Sequence, residues 1–424
     1  MNLGASHPSL LELVASALFA LAVVHTFMTR YFGYLARLQP NHAGLWHLLG
    51  EVEAVFGVWA VALLAFMAAY ASPTAALSYL ENRSFSEPAF IFAIMVIAAS
   101  RPILDFAGAM LHWMARLLPV QRPTAYYFTL LFIGPLLGSF ITEPAAMTLS
   151  ALLLRERYFS RQAPRAFKYG TLGVLFVNVS IGGTLTPFAA PPVLMVAERW
   201  GWDFGFMLQT FGWKAAIAVL VNAAAATFVF RSYLAQLPTI SAALARLDVP
   251  WLIVGAHLLF LVAIVVAKHH LVVFVALFLL FLGFAEAYRR YQSRLLLREG
   301  LMVGLFLGGL VVLGGLQEWW LSPLLSNMSS TALFYGATAL TAVTDNAALT
   351  YLGSLVDGLP ADAKYSLVAG AVSGGGLTVI ANAPNPAGFA ILKGTFDDSS
   401  INPGWLALAA APPTVIAVIA FQLL

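Results

Sequence analysis

The sequence predicts an all-α polytopic membrane protein made of two inverted repeats, each with a re-entrant helical hairpin and an unwound transmembrane helix. Three observations lead there. Of 424 residues, 61% are hydrophobic and 10% charged, with a mean hydropathy of +0.85. The apolar runs reach the ~20 residues needed to cross a hydrocarbon core of roughly 30 Å. One motif occurs twice, as FITEPAAMTLSALL at 140–153 and AVTDNAALTYLGSL at 342–355. A glycine- and proline-broken motif also occurs twice, as GGTLTPFAAPP at 182–192 and GGGLTVIANAP at 374–384. Apolar segments interrupted at corresponding places in two halves point to the binding site of a secondary transporter.

Taken in order, the first span is expected at about 10–29, the second at 44–71 and the third at 88–104, with a loop at 72–87. The first apolar run has no A-x-A-like cleavage site and reads as a retained span. Residues 105–119 look amphipathic and interfacial, and 126–154 is the first hairpin, carrying Gly134, Pro135, Gly138 and Pro144. Spans follow at 167–197, which is the broken one, and at 206–230. Residues 231–249 form a polar cytoplasmic linker that divides a first repeat, 1–230, from a second, 250–424. The second repeat runs through spans at 250–267, 270–287 and 299–316 and an interfacial QEWWLSPLL at 317–325. Its hairpin is 329–356, its broken span 365–393, and a last span covers 403–424.

Loop charge favours hairpins over single crossings. If both motif-bearing stretches leave on the side they entered, all of the 22 Lys+Arg except Arg83, Arg199, Lys214, Lys268 and Lys364 fall on one face. Such an excess marks the cytoplasmic side. A full crossing at 126–154 would instead place Arg116 and Arg122 opposite Arg155 and Lys168.

The chemistry concentrates at Glu143 and Asp345, paired at an offset of 202 residues together with Thr142 and Thr344. An ionised acid at mid-membrane costs a few kcal/mol and usually lines a water-filled cavity or an ion path. No Lys or Arg lies within either hairpin to form a local ion pair. Pro144 lacks an N–H and disfavours helix for the residue before it, and Asn346 takes the corresponding place. The freed carbonyls and the hydroxyls of Thr142 and Thr344 are oxygen ligands for a hard cation, although threonines in spans mostly bond the preceding turn. The breaks at Gly182, Gly183 and Pro187, and at Gly375, Gly376 and Pro384, cannot complete a helical ladder. Unwound backbone at membrane depth is tolerated where it lines a cavity. Thr186, Thr378, Asn382 and Asn385 lie in or beside these breaks, with Asn178 and Ser180 a turn earlier. Zero cysteines exclude disulfides and cysteine metal sites. No metalloprotease, nucleotide-binding or serine-hydrolase motif occurs in a plausible context.

At TEPAA, TDNAA, GGTLTPFAAPP and GGGLTVIANAPNPAG the chain resembles the putative Na+/H+ antiporter family of bacteria, within the ion-transporter superfamily that also holds arsenite, citrate and dicarboxylate carriers. The resemblance implies inverted repeats, a scaffold that often dimerises, elevator-type alternating access and a multi-pass place in the bacterial inner membrane. It implies no cofactor and no nucleic-acid partner. The partners are the bilayer, a proton and a monovalent cation. Dicarboxylate carriers of the superfamily have Ser-Asn-Thr at the hairpin tips. Thr142-Glu143-Pro144 and Thr344-Asp345-Asn346 stand here instead, so the anion-site roles do not transfer.

The leading expectation is therefore Na+/H+ exchange, with Na+ bound at Glu143 and Asp345. Two carboxylates facing one cavity repel, which favours a proton on at least one of them, and a group that holds either a proton or a metal ion makes the two compete. The alternatives are a Na+- or H+-coupled anion carrier, which needs a fixed positive partner in the site, and an intramembrane aspartyl-type hydrolase. The hydrolase needs aspartates on packed helices, whereas these acids sit on broken ones.

Overall fold

The computed structural model describes residues 8–160, 162–238, 248–396 and 399–424. The protein is 79% helical, and no strand occurs among the described residues. Thirteen helices carry the architecture needed below. They are α1 (Leu10–Thr26), α2 (Val52–Tyr70), α3 (Arg122–Ile141), α4 (Glu143–Arg157) and α5 (Arg165–Gly182). Next come α6 (Pro191–Trp200), α7 (Trp213–Val229), α8 (Leu297–Gly314), α9 (Ser330–Thr341) and α10 (Asn346–Ser354). The last are α11 (Ala361–Gly374), α12 (Asn385–Leu392) and α13 (Pro403–Leu423).

Among the described residues, five helical segments are long and apolar enough to cross a membrane, or up to seven if each of two sharply bent pairs counts as one span. Several expected spans prove interrupted. The stretch 44–71 breaks at Gly50–Glu51, where Glu51 turns extended (φ −81, ψ 119) and pairs with Arg298 at 2.5 Å. The expected loop 72–87 contains a helix, Pro73–Glu81, capped by Ser72 with proline in its first turn. The interfacial piece starts earlier than expected, as a helix over Arg101–Arg116 bent 64° from Ser86–Ala98. Its buried face is Ile103, Ala107, Leu111 and Ala115, spaced a helical turn apart. Of the expected linker, 239–247 lies outside the described residues.

The chain forms two compact units, and each draws on both sequence halves. Unit 1 comprises Met1–Phe92, Leu297–Met328 and Tyr351–Pro360. Here α2 packs on α8 so closely that a Cβ on Gly309 would lie 2.4 Å from the Phe56 carbonyl carbon. Small residues at such a crossing let backbones touch and gain dispersion where lipid offers no hydrophobic drive. Gln317, fully buried, accepts from Ser16 Oγ and Trp320 Nε1, both at 2.8 Å, and donates to the Leu313 carbonyl.

Unit 2 comprises Ala93–Leu296, Ser329–Thr350 and Ala361–Leu424. Its core joins Val177 and Ile181 of α5, Val193 of α6, Phe334 of α9, Val368 and Val372 of α11, and Phe421 of α13. Two internal prolines each leave a helix carbonyl without its usual donor. Pro135, inside α3, cannot donate to the carbonyl of Leu131 four residues earlier, and the Asn178 amide of α5 donates there at 2.9 Å. Pro413, inside α13, similarly frees the backbone at Ala409, and Gly173 packs on it where a Cβ would fall within 2.7 Å.

Candidate functional site

The site is built inside unit 2 from two helix junctions and two helix breaks. α3 ends at Ile141 and α4 starts at Glu143, so the chain turns on Thr142 alone. Thr142 has φ 73 and ψ 149, a region that is essentially glycine's and costs a β-branched residue about 1–3 kcal/mol. The turn is held by the break that follows α5. Ser139 Oγ donates to the Gly182 carbonyl at 2.7 Å and accepts from Leu185 N at 2.9 Å, while Thr186 Oγ1 donates to the Ser139 carbonyl at 2.7 Å. Thr142→Gly therefore raises the thermal stability of the purified protein, since relief of strain exceeds the ~0.5–1 kcal/mol entropic cost of glycine. Thermal unfolding curves of the native and substituted proteins check it.

Glu143, the first residue of α4, is 0% exposed. Its Oε2 accepts from Asn382 Nδ2 at 2.9 Å. Its other face lies on Gly183, where a Cβ would come within 2.3 Å of Oε1. Among the described residues nothing donates to Oε1, and no Lys or Arg pairs with the carboxylate. A bare carboxylate so placed is disfavoured until a proton or a cation neutralises it.

The contacts around Glu143 recur in the second half at fixed offsets. Thr186 Oγ1 donates to the Ser139 carbonyl, and Thr378 Oγ1 donates to the Ala342 carbonyl at 2.8 Å. Glu143 N faces the Ala189 carbonyl at 3.5 Å, and Asn346 N donates to the Ala381 carbonyl at 3.1 Å. Gly182 rests on the Pro135 carbonyl as Gly374 rests on that of Thr338. Residues of the breaks correspond at an offset of 192, whereas those of the junctions correspond at 203, as Glu143 with Asn346.

The sequence pairing of Glu143 with Asp345 is thus one residue out. The offset of 203 holds on both sides of the junctions, and only the helix ends differ: Thr142 alone separates α3 from α4, whereas Ala342–Asp345 separate α9 from α10. Asp345 takes the capping place before α10, its Oδ1 accepting from Ala347 N at 2.8 Å and Ala348 N at 3.1 Å. It is half-buried. The place equivalent to Glu143 belongs to Asn346, 0% exposed, whose amide nitrogen and oxygen have no hydrogen-bond partner among the described residues.

The remaining expected residues divide into two groups. Buried oxygens without a donor among the described residues are Thr142 Oγ1, Glu143 Oε1, Asn346 Oδ1, Asn382 Oδ1 and Asn385 Oδ1. Asn346 N donates to the carbonyl of Ala381, the residue preceding Asn382. The other group is engaged in the scaffold. Thr344 Oγ1, in the second junction, donates to the Leu340 carbonyl of α9 at 3.0 Å, and Thr186 and Thr378 stitch breaks to junctions. Asn385 Nδ2 donates to the carbonyls of Gly375 and Thr378, both at 2.8 Å. Pro144 lies in the first turn of α4, Pro384 precedes α12, and Pro187 lies between the end of α5 and the start of α6. Asn178 and Ser180 are scaffold residues as well, Ser180 Oγ donating to the Val372 carbonyl at 2.7 Å.

Sequence reasoning missed Ser139 and Thr341. Ser139 is the linchpin of the first junction, and Thr341 is a fully buried hydroxyl without a partner among the described residues. Both are polar residues within apolar stretches a few positions before the acids, which was the available signal. Among the described residues no group of three or more His, Cys, Asp or Glu is placed to hold a metal ion. Among the expected residues, the buried oxygens without a donor are one carboxylate oxygen, amide oxygens and a hydroxyl, donor types that suit a hard cation rather than zinc.

No curated protein matches the chain. The sequence profile of the family described as "Putative Na+/H+ antiporter" matches residues 10–424, and the chain belongs to that family.

Proposed function

We propose that the protein exchanges Na+ for protons across the bacterial inner membrane, with Glu143 as the group that holds one or the other. The observation carrying this reading is the carboxylate itself. It is fully buried and bound by one neutral amide, with an oxygen that takes no hydrogen bond among the described residues. Either a proton or a cation neutralises it, and it cannot hold both at full strength, so each displaces the other. Asn382 orients the carboxylate, and Thr142, Asn346 and Asn382 contribute oxygens to the ion. Family membership supports the same reading.

The recurring contacts at offsets of 203 and 192 support two structurally repeated halves, which we read as inverted. Glu143, Asn346 and Asn382 all belong to unit 2, as elevator-type alternating access by a carrier of that composition requires. An anion carrier would need a positive side chain at the site, and among the described residues no Lys or Arg pairs with Glu143.

The test is reconstitution into proteoliposomes with a pH gradient followed by an entrapped dye. Adding Na+ dissipates the gradient; Li+ and K+ are compared, and uptake of labelled dicarboxylate serves as the contrasting arm. Dicarboxylate uptake without any cation-driven proton movement would overturn the proposal.

A further inference from the structure

We infer that unit 1 holds one membrane phospholipid, with an acyl chain lying in a groove between α2 and α8 and the phosphate meeting Arg83. Such a site shares no residue with the exchange site of unit 2. The groove has a volume of about 440 Å³ and is lined from within 57–64 of α2, 80–92 and 301–312 of α8. No lining residue has a polar side chain. Gly57 and Ala60 stand a turn apart on α2, as Gly304 and Gly308 do on α8. Small side chains at successive turns leave a furrow where larger ones would raise a ridge.

The shape selects the occupant. Val61 and Leu301 line the groove and are 66% and 54% exposed, so it opens to the surface. Both α2 and α8 are long and apolar enough to cross a membrane, and that surface therefore meets hydrocarbon. From Leu301 to Val312 the lining climbs α8 by ~16 Å at about 1.5 Å per residue. That is about half of a ~30 Å hydrocarbon core, the depth of one leaflet. Spread over this length, the volume gives a mean cross-section of ~27 Å². A helix about 10–12 Å across needs roughly 80 Å² or more, so a helix of a second copy does not enter. A single acyl chain, a file of methylenes one carbon thick, does.

Charge marks the headgroup end. Tyr79 Oη donates to the carbonyl of Val312, a lining residue, at 2.6 Å. The Arg83 guanidinium lies 4.4 Å over the Tyr79 ring, and a Cβ on Gly315 would come within 2.6 Å of its Nη1. Arg83 is thus held beside the Val312 end of the groove. Its Nε is buried without a hydrogen-bond partner among the described residues, and no acid there pairs with it. Glu87, the acid four residues on, accepts from Ser84 Oγ at 2.9 Å. A guanidinium with donors to spare, at the end of an apolar furrow one leaflet deep, matches a lipid phosphate.

The experiment takes the full-length protein, delipidated in detergent, and counts bound lipid by native mass spectrometry. The probes are dioleoyl phosphatidylglycerol, dioleoylglycerol (chains without phosphate) and glycerol phosphate (phosphate without chains). The native protein retains one phosphatidylglycerol, holds dioleoylglycerol about fivefold more weakly, and does not retain glycerol phosphate. Arg83→Gln lowers affinity for phosphatidylglycerol about fivefold and leaves that for dioleoylglycerol unchanged. Gly308→Leu puts a side chain into the groove and lowers affinity for both lipids about tenfold or more. Arg83→Gln alters no groove packing and decides alone if Gly308→Leu does not fold. Equal retention of phosphatidylglycerol by the native protein and Arg83→Gln overturns the proposal. So does a Gly308→Leu protein that keeps its lipid but loses self-association, which would show a second copy covering the groove.

Discussion

Glu143→Gln abolishes Na+/H+ exchange, lowering its rate by about 100-fold or more. The substitution keeps the shape and the bond from Asn382, whose amide at 2.9 Å has an oxygen to meet in either side chain. It removes the only charge on the fully buried carboxylate. A charged interaction in a water-poor site is worth several kcal/mol, and ~3 kcal/mol corresponds to roughly 100-fold. Stability moves the other way. A neutral amide has no charge to desolvate, so the variant unfolds at an equal or higher temperature than the native protein. Loss of exchange with retained stability separates a role in transport from a role in folding. Dye-based exchange and thermal unfolding, run on the same purified sample, check both.

The second large effect falls on packing. Gly376 lies at the break after α11, against α5, where a Cβ would stand 2.4 Å from both the Cα and the N of Val177. Those atoms are backbone in the middle of a helix whose neighbours at 174–177 and 179 are themselves buried, so they cannot rotate away. Gly376→Ala consequently costs about 3 kcal/mol or more, the upper range for overpacking. The protein then loses folded yield as well as activity. Gly255→Ala is the control, since a Cβ there meets nothing within 4 Å. It leaves stability unchanged or gains up to about 1 kcal/mol of helix propensity. Similar unfolding temperatures for the two variants would contradict the close crossing.

Much of the architecture was readable because its determinants are local. The doubled acidic motif, the doubled glycine-proline break and the apolar run lengths locate the helices that build the site. Glu143, Asn382 and Asn346 were all singled out from residue type and position. What the sequence did not show was register. Thr142, Ala145, Ala146 and Thr148 match Thr344, Ala347, Ala348 and Thr350 by identity, and identity pairs the two acids. The fold instead matches the two junctions at an offset of 203 throughout, so Asn346 takes the position of Glu143. A residue held at positive φ looks ordinary in sequence, and Thr142 gave no sign of it.

Nor did composition separate ligands from scaffold. Thr186 and Thr378 looked like ion ligands, yet their hydroxyls hold the junction carbonyls. Ser139, unremarked in the sequence, holds the first junction together. Hydroxyls serve either use with the same chemistry, and only long-range placement decides between them. Helix breaks were equally ambiguous, because an apolar stretch of the right length, such as 44–71, is split at Gly50–Glu51.

The most direct test is proton release on cation binding. Purified protein in weakly buffered detergent solution receives Na+, and the pH of the solution is recorded against a choline control. The native protein releases about one proton per molecule near the pH at which Glu143 is half-occupied, and Glu143→Gln releases none. Equal release from both proteins, or none from the native one, would contradict a shared site for cation and proton at Glu143.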